Sequence, residues 1–146
     1  MIKIIYRLLI HFFSKFIKID ELADKFPVSV KAIIIDDNRV LCLKNERDEW
    51  DIPGGKIDFN EDIEECLKRE VKEEVNLKIK NLNILKPFNR KFNDVPVLVL
   101  VYSADISSES PIDLSFEHTE YDFFSKSEII NLNMLQDYKD LIANMI

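Results

Sequence analysis

Segment 55–77 places acidic side chains inside the apolar face of a predicted helix. On a helical wheel that advances about 100° per residue, the apolar face is formed by Ile63, Cys66, Leu67 and Val71. Glu70 and Glu74 fall within this face, and Glu73 lies at its edge. The opposite, solvent-facing side carries the remaining charged residues, which are Glu64, Glu65, Lys68 and Lys72.

Two carboxylates within an apolar face require a cationic partner. A carboxylate that is buried without one costs several kcal/mol, and a divalent cation is the strongest candidate to meet Glu70 and Glu74. The alternative is an ordinary acidic helix with solvated Glu–Lys pairs. That alternative accounts less well for two carboxylates at the centre of the face.

The only two glycines of the chain, Gly54 and Gly55, are adjacent and immediately precede this segment's helix. In so glycine-poor a sequence, the pair indicates a backbone conformation or a close approach that other residues cannot provide. Asp58 or Asn60 is expected to cap the helix. We predict a strand, a tight glycine loop and an acidic helix, with the loop carbonyls directed at the helix. Carbonyl and carboxylate oxygens are the ligands that Mg²⁺ prefers.

The segment resembles the Nudix box, G-x5-E-x7-R-E-U-x-E-E-x-G-U, in which U is a bulky aliphatic residue. Eight positions match in type and spacing, namely Gly55, Glu61, Arg69, Glu70, Val71, Glu73, Glu74 and Leu77. Asn76 stands where the family has glycine. That glycine ends the helix, and asparagine is the next most tolerant residue in a left-handed cap.

The resemblance implies a role for each matching position. The implied metal ligands are the carbonyl of Gly55 and the carboxylates of Glu70, Glu73 and Glu74, which would hold Mg²⁺ or Mn²⁺. Arg69 would orient the carboxylates through ion pairs, and Glu61 would support them or bind metal. The implied reaction is attack of water on a diphosphate linkage, usually in a nucleoside diphosphate joined to another group. Bridging cations would make an acidic site attractive to a pyrophosphate.

Many Nudix enzymes place another glutamate, as catalytic base or metal ligand, in the loop that precedes the last strand. Here that loop spans residues 115–121, with Glu120 as the first candidate and Glu117 as the second. A solvated loop charge is the alternative for both. His118 is expected to be a surface or packed residue.

Aromatic and basic residues outside the box are candidates for nucleotide contacts. Phe88, Phe92 and Trp50 could stack on a nucleobase, with core packing as the alternative. Arg90 and Lys91, in a predicted loop over residues 87–94, could meet a phosphate, although loop cations are usually solvated.

Composition indicates one small intracellular domain. With 146 residues, 47% of them hydrophobic, the chain can bury one sizeable core but not two. The net charge of −7 disfavours nucleic-acid binding. Cys42 and Cys66 are expected to be structural, because two cysteines make no disulfide framework, and the expected compartment is the reducing cytoplasm.

The remaining pattern predicts a mixed β-sheet flanked by helices. Strands are expected over residues 28–35, 40–44, 78–85, 95–104 and 121–124, and a closing amphipathic helix over 134–146 with Asn133 as its cap. The apolar run 97–101 should lie inside the sheet. This is an α/β/α sandwich, the architecture that the resemblance also implies for a single Nudix domain over residues 21–146.

Residues 1–20 form a separate predicted amphipathic helix. Its cationic stripe consists of Lys3, Arg7, His11, Lys15 and Lys18. Residues 1–19 carry +4, whereas the remainder carries 16 − 27 = −11. Regular cations argue against a transmembrane span, and no small-residue cleavage site follows. The helix either rests weakly on anionic lipid through residues 1–19, or covers the domain or a homodimer partner.

The substrate stays open at this level. A nucleoside triphosphate, ADP-ribose, a nucleotide sugar and a dinucleoside polyphosphate are all compatible with the box. A catalytically silent Nudix module that senses a nucleotide is one rival, and a peripheral membrane protein is another. The intact pairs Arg69–Glu70 and Glu73–Glu74 favour the enzyme.

Overall fold

The structure is a computed structural model that describes residues 27–92, 94–107 and 110–146. The predicted N-terminal helix over residues 1–20 lies outside the described residues. Within the described ranges, no helix combines the length and the hydropathy needed to cross a membrane.

The described residues form six strands and three helices. In chain order these are β1 (Val28–Asp36), β2 (Arg39–Lys44), β3 (Trp50–Asp51), α1 (Ile63–Val75), β4 (Ile79–Phe92), β5 (Val95–Ile106), β6 (Glu120–Phe124), α2 (Lys126–Ile129) and α3 (Gln136–Ala143). All five predicted strands are present, with changed bounds. The strand expected before the glycine loop is β3.

The sheet is mixed, as predicted. Its strand order is β3-β2-β1-β5-β4. The sixth strand, β6, lies off this path and pairs with β2. β1 and β5 run parallel with Val30 opposite Leu100, and the other pairings are antiparallel. β5 lies between β1 and β4, so the apolar run 97–101 is inside the sheet.

Helices cover both faces of the sheet because β1 alternates its side chains between two cores. Val30 and Ala32 pack with Leu67 and Val71 of α1 on one face. On the opposite face, Ile33 belongs to a second core, to which α2 and α3 contribute Ile129, Tyr138 and Ile142. The predicted α/β/α sandwich is confirmed.

Helix α1 begins later than expected. The cap is Asp62, whose side chain accepts hydrogen bonds from the main-chain N–H groups of the first turn. Asn60 has a left-handed φ of 65° and Asp58 accepts the Glu61 N–H, so both belong to a turn before the helix. At the other end, Asn76 adopts φ 58° and caps α1 in the left-handed conformation, which confirms the expectation for this position.

The loop predicted over residues 87–94 is wrong, because β4 continues to Phe92. Arg90 and Lys91 therefore lie on a strand. β4 is an edge strand of the sheet, which is the kind of strand in which a proline such as Pro87 is tolerated. Most β4 residues are exposed, and their weak apolar pattern hid the second half of the strand.

The closing helix is shorter than predicted and spans Gln136–Ala143, with Leu135 at the cap position. Asn133 is not the cap. Its carbonyl accepts the Trp50 N–H (2.8 Å), and its side chain donates to the Asp48 carbonyl (3.1 Å). The residues before α3 are thus tied to β3 and its turn rather than forming helix.

Candidate active site

Helix α1 and the glycine loop enclose an acidic cleft of about 540 Å³. Three carboxylates of α1 line it, from Glu70, Glu73 and Glu74. The other lining residues are Gly54, Gly55 and Lys56 of the glycine loop and Ser115, Phe116 and Glu117 of the loop before β6. The structure therefore brings together every glutamate that was predicted in the Arg-Glu…Glu-Glu core.

Glu74 is the most deeply buried of the three, with 7% of its surface exposed. The Gly54 N–H donates to its Oε2 at 2.8 Å, and His118 Nε2 lies 2.9 Å from its Oε1. Glu74 thus faces inward, as the helical wheel predicted. Both of its oxygens have a partner, which reduces the cost of burying this carboxylate.

Arg69 holds three carboxylates at once. Its Nε and Nη2 donate to the two oxygens of Glu61 at 2.7 and 2.9 Å. Its Nη1 donates to Glu70 Oε1 at 2.8 Å and to Glu73 Oε2 at 3.1 Å. These bonds with Arg69, together with the Asp58 N–H, lower the pKa of Glu61 to about 2. Arg69 thus contacts Glu61, Glu70 and Glu73, and the orienting part of Arg69 and the supporting part of Glu61 stay predictions.

Glu70 lies against the glycine loop. A Cβ at Gly55 would lie 2.4 Å from Glu70 Cδ, a distance that real Cβ contacts do not show. Burial raises the pKa of the Glu70 carboxyl, Arg69 opposes the rise, and the charges of Glu74 and Glu73 add to it. The absence of a side chain at residue 55 is what leaves room for this carboxylate.

The carbonyls of Gly54 and Gly55 do not point at the helix, contrary to the expectation from sequence, whereas the Lys56 carbonyl accepts from Cys66 Sγ and Arg69 Nη2 of α1, each at 3.3 Å. The Gly54 carbonyl accepts from Lys31 Nζ at 2.7 Å. The Gly55 carbonyl, the predicted metal ligand, accepts the Val30 N–H at 2.8 Å and the Ser29 hydroxyl at 3.2 Å. The loop runs along β1 and satisfies its hydrogen-bonding groups, so the two acceptor positions of the Gly55 carbonyl are already used.

The loop before β6 is fixed to α1 and β2. The Ser115 N–H donates to the Glu74 carbonyl at 2.8 Å, and the Thr119 N–H donates to the Lys44 carbonyl at 2.9 Å. Between these anchors, Phe116 is 94% exposed at the rim of the acidic cleft.

Of the two candidate bases, the structure brings Glu117 to the acidic cleft. Glu120 does not line it. It lies on β6, opposite Lys44 of β2, with Oε2 3.5 Å from Lys44 Nζ. His118 is the site residue that sequence reasoning missed. It lies 44 positions from Glu74, and no motif links the two.

The donor set suits a hard divalent cation. Among the described residues, no three acidic, His or Cys side chains converge closely enough to hold an ion in this side-chain arrangement, since Arg69 and His118 engage the carboxylates. Within the same part of the chain, Glu70 Oε2 and Glu73 Oε1 accept no hydrogen bond. An all-oxygen set with free acceptor positions is what Mg²⁺ and Mn²⁺ prefer.

Two neighbouring cavities, which we call the lateral cavities, lie beside the glycine loop on the α3 side of the sheet. Their volumes are about 360 and 280 Å³, and both are lined by Asp51, Arg90, Phe92 and Tyr138. The larger has an apolar wall made of Val95, Val97 and Val99 of β5. The Tyr138 hydroxyl is buried and has no hydrogen-bond partner among the described residues.

Only some of the aromatic and basic residues proposed for nucleotide contacts line the lateral cavities. Phe92 lines both cavities and Trp50 lines the smaller one. Phe88 packs edge-on against Tyr138, with ring centroids 5.8 Å apart, which is core packing. Arg90 also lines both cavities, whereas Lys91 lines neither.

The fold and the site together define an α/β/α domain whose acidic helix and glycine loop form an acidic cleft. The family model described as NUDIX domain matches residues 25–145, and the chain belongs to this family. The resemblance that the box carries is thereby confirmed.

Individual relatives agree with this assignment. The chain is 42% identical over 60 residues to an 8-oxo-dGTP diphosphatase of Buchnera aphidicola subsp. Schizaphis graminum; the match covers 38% of this chain and 46% of that protein, so it spans about half of the curated relative. The structure of a MutT protein from Methanosarcina mazei Go1 superposes with a TM-score of 0.72 and 25% identity, covering 83% of this chain and 93% of that one. A MutT NUDIX hydrolase from Burkholderia pseudomallei gives a TM-score of 0.74 at 21% identity, covering 84% and 100%.

Proposed function

We propose that this protein is a metal-dependent pyrophosphohydrolase that cleaves a diphosphate linkage in a nucleotide-type substrate. The observation that carries the proposal is the convergence of Glu70, Glu73 and Glu74 on one cleft beside a glycine loop. Family membership and the named activity of the Buchnera relative support it.

The three α1 carboxylates would hold Mg²⁺ or Mn²⁺, with Gly55 contributing space rather than its carbonyl. The bound cation would neutralise phosphate charge and lower the pKa of a bound water. The protein's own contribution is orientation. Arg69 and the Gly54 N–H orient the carboxylates around the cleft, and the carboxylates would turn from these partners to converge on an ion.

Proton transfer from the attacking water is assigned to Glu117 first and to Glu120 second, which reverses the order expected from sequence. Glu117 lines the acidic cleft, whereas Glu120 faces Lys44. A general base must lie within hydrogen-bonding reach of the water from which it removes the proton. A residue that lines the cleft, such as Glu117, meets this requirement better than one that does not.

The nucleoside part of the substrate is assigned to the lateral cavities. Phe92 and Trp50 supply aromatic surface for a base, and Arg90, which lines both cavities, supplies a cation for a phosphate or a polar edge of the base. Because one relative is an 8-oxo-dGTP diphosphatase, nucleoside triphosphates including 8-oxo-dGTP are the first substrates to test.

The test is a screen for phosphate and pyrophosphate release with Mg²⁺. It covers nucleoside triphosphates including 8-oxo-dGTP, ADP-ribose, nucleotide sugars and dinucleoside polyphosphates. Glu74→Gln is compared with the matched control Glu64→Gln, on the exposed side of α1. We expect the wild type and the control to hydrolyse at least one compound, and Glu74→Gln to lose at least ~100-fold in kcat.

The two negative results have different meanings. Tight nucleotide binding without turnover in the wild type would favour a sensor. Equal turnover in wild type and Glu74→Gln would reject the assignment of the acidic cleft.

A further inference from the structure

Lys31 is a largely buried lysine on the face of β1 that also carries Ile33 and Ile35. Its side chain is 12% exposed, and Ile33 and Ile35, on the same face of the strand, pack into the core with α3. A buried ammonium costs several kcal/mol unless its donors are satisfied. A lysine at such a position, where an apolar residue would cost less to bury, indicates that the hydrogen bonds of its ammonium group have a structural or functional role.

All three donors of Lys31 are used. Nζ lies 3.0 Å from Asp51 Oδ2, 3.1 Å from the Ile52 carbonyl and 2.7 Å from the Gly54 carbonyl. Burial disfavours the ammonium form, but Asp51, Tyr138 and Glu74 outweigh it and hold the pKa of Lys31 above its usual range. The shortest of the three bonds is the one to the glycine loop.

Of the carbonyls of Pro53, Gly54 and Gly55, that of Gly54 is the one without a main-chain donor among the described residues. The Pro53 carbonyl accepts the Ala32 N–H and the Gly55 carbonyl accepts the Val30 N–H, each at 2.8 Å. Both of these anchors are main-chain bonds to β1. Between them, Gly54 adopts φ 129°, a conformation that other residues rarely adopt.

The same residue faces the acidic cleft through its other polar group. The Gly54 N–H donates to Glu74 Oε2 at 2.8 Å. The carbonyl and the N–H of Gly54 belong to the two peptide groups that meet at its Cα, and the preceding group is also held by the bond from the Ala32 N–H to the Pro53 carbonyl. If the Gly54 carbonyl lost its partner, the peptide that follows Gly54 could rotate about ψ of this residue, and a compensating change in φ would turn the N–H away from the carboxylate. Lys31 and Glu74 are thus connected through a single glycine.

We propose that Lys31 is a positioning residue, which holds the Gly54 carbonyl so that the Gly54 N–H stays directed at Glu74. A compact ammonium can converge on three oxygens, whereas the planar guanidinium of arginine presents a fork. The effect on turnover rests on the proposed function, but the effect on Gly54 does not. The competing interpretation is that Lys31 serves only as the counter-ion of Asp51.

The chain offers a direct probe, because Gly54 and Gly55 are its only glycines and only Gly54 follows a proline. ¹⁵N-glycine labelling of the full chain therefore yields two amide signals, and ¹³C-carbonyl labelling of proline identifies Gly54. Hydrogen exchange and chemical shift are measured in Lys31→Met, Asp51→Asn and the double variant. The double variant removes both charges, so that no lone charge is left buried.

We expect the Gly54 amide to exchange at least about tenfold faster in Lys31→Met and in the double variant, with an upfield shift, and to stay near wild type in Asp51→Asn. The Gly55 signal reports whether the change is local. A Gly54 signal that is the same in the double variant as in Asp51→Asn would overturn the proposal, since Lys31 would then matter only as a counter-ion.

Mn²⁺ binding, followed by electron paramagnetic resonance, supplies a second readout that needs no substrate. We expect weaker Mn²⁺ binding in the double variant than in Asp51→Asn, and for a substrate found in the screen a fall of about 10²-fold in kcat with little change in KM. Unchanged Mn²⁺ affinity would count against the proposal. A protein that hydrolyses no diphosphate but shows the Gly54 change would lose the proposed function and keep this inference.

Discussion

The Glu70 carboxylate occupies the space that a side chain at Gly55 would fill, with a Cβ there placed 2.4 Å from Glu70 Cδ. Gly55→Ala should therefore displace Glu70 from Arg69 and from the acidic cleft. We expect kcat to fall about 10²-fold, because a shift of about 1 Å in a catalytic group has effects of this size. Steady-state kinetics beside Mn²⁺ affinity checks this; full activity in Gly55→Ala would mean that Glu70 is free to move.

His118 should stabilise the fold through Glu74. His118→Phe leaves Glu74 Oε1 without its partner at 2.9 Å, and we expect a loss of about 1–3 kcal/mol in the free energy of unfolding. His118→Gln retains a side-chain donor and should lose less. Urea denaturation measures the free energy of unfolding of both variants. If the two variants lose the same amount of stability, the effect of His118 comes from packing and not from its hydrogen bond to Glu74.

Low pH should weaken the contact between Glu61 and Arg69. The pKa of Glu61 is about 2 in the folded protein, lowered by Arg69 and by the Asp58 N–H, against about 4.3 in an unfolded chain. The folded state therefore binds the proton more weakly, and this contribution is full above the unfolded value and is lost as pH falls towards 2. Unfolding midpoints between pH 2 and 7 should decline more steeply for the wild type than for Glu61→Gln; parallel curves would contradict the assignment.

Asn76 should be replaceable by glycine but not by alanine. Its φ of 58° at the end of α1 costs about 1–2 kcal/mol for a residue that has a Cβ and no local hydrogen bond. We expect Asn76→Ala to destabilise the protein by about 1 kcal/mol and Asn76→Gly to leave it as stable or more so. Thermal unfolding measures both, and kcat should change in neither, because Asn76 lies outside the acidic cleft.

Phe92 should contribute to substrate binding if the nucleoside part occupies the lateral cavities. Phe92→Ala is expected to raise KM about tenfold with little change in kcat, since stacking on a base is worth about 1–3 kcal/mol. Phe59 is 81% exposed and lines neither cavity, so Phe59→Ala is the matched control. Equal KM values in the two variants would place the base elsewhere.

Sequence periodicity was sufficient to locate the carboxylates, because their direction depends only on the local geometry of one helix. Glu70 and Glu74 turn inward as the wheel predicts, and Asn76 caps the helix. The direction of the Gly55 carbonyl was predicted wrongly, since it depends on the pairing of the loop with Val30 of β1. Local pattern carries no information about that pairing.

His118 and Lys31 were beyond prediction for the same reason. Each acts through a contact between segments that are distant in the chain, 44 positions for His118 and Glu74 and 23 for Lys31 and Gly54. The second half of β4 was missed because an exposed edge strand has no clear apolar alternation.

Glu74 forms two hydrogen bonds with one short segment. Its main-chain carbonyl accepts the Ser115 N–H, and its carboxylate contacts His118 Nε2. The number of residues between Ser115 and His118 therefore fixes how this segment is placed against Glu74 in the acidic cleft. Inserting a single residue between Ser115 and His118 would break one of these two hydrogen bonds. The cleft would then change shape although none of its glutamates had been replaced.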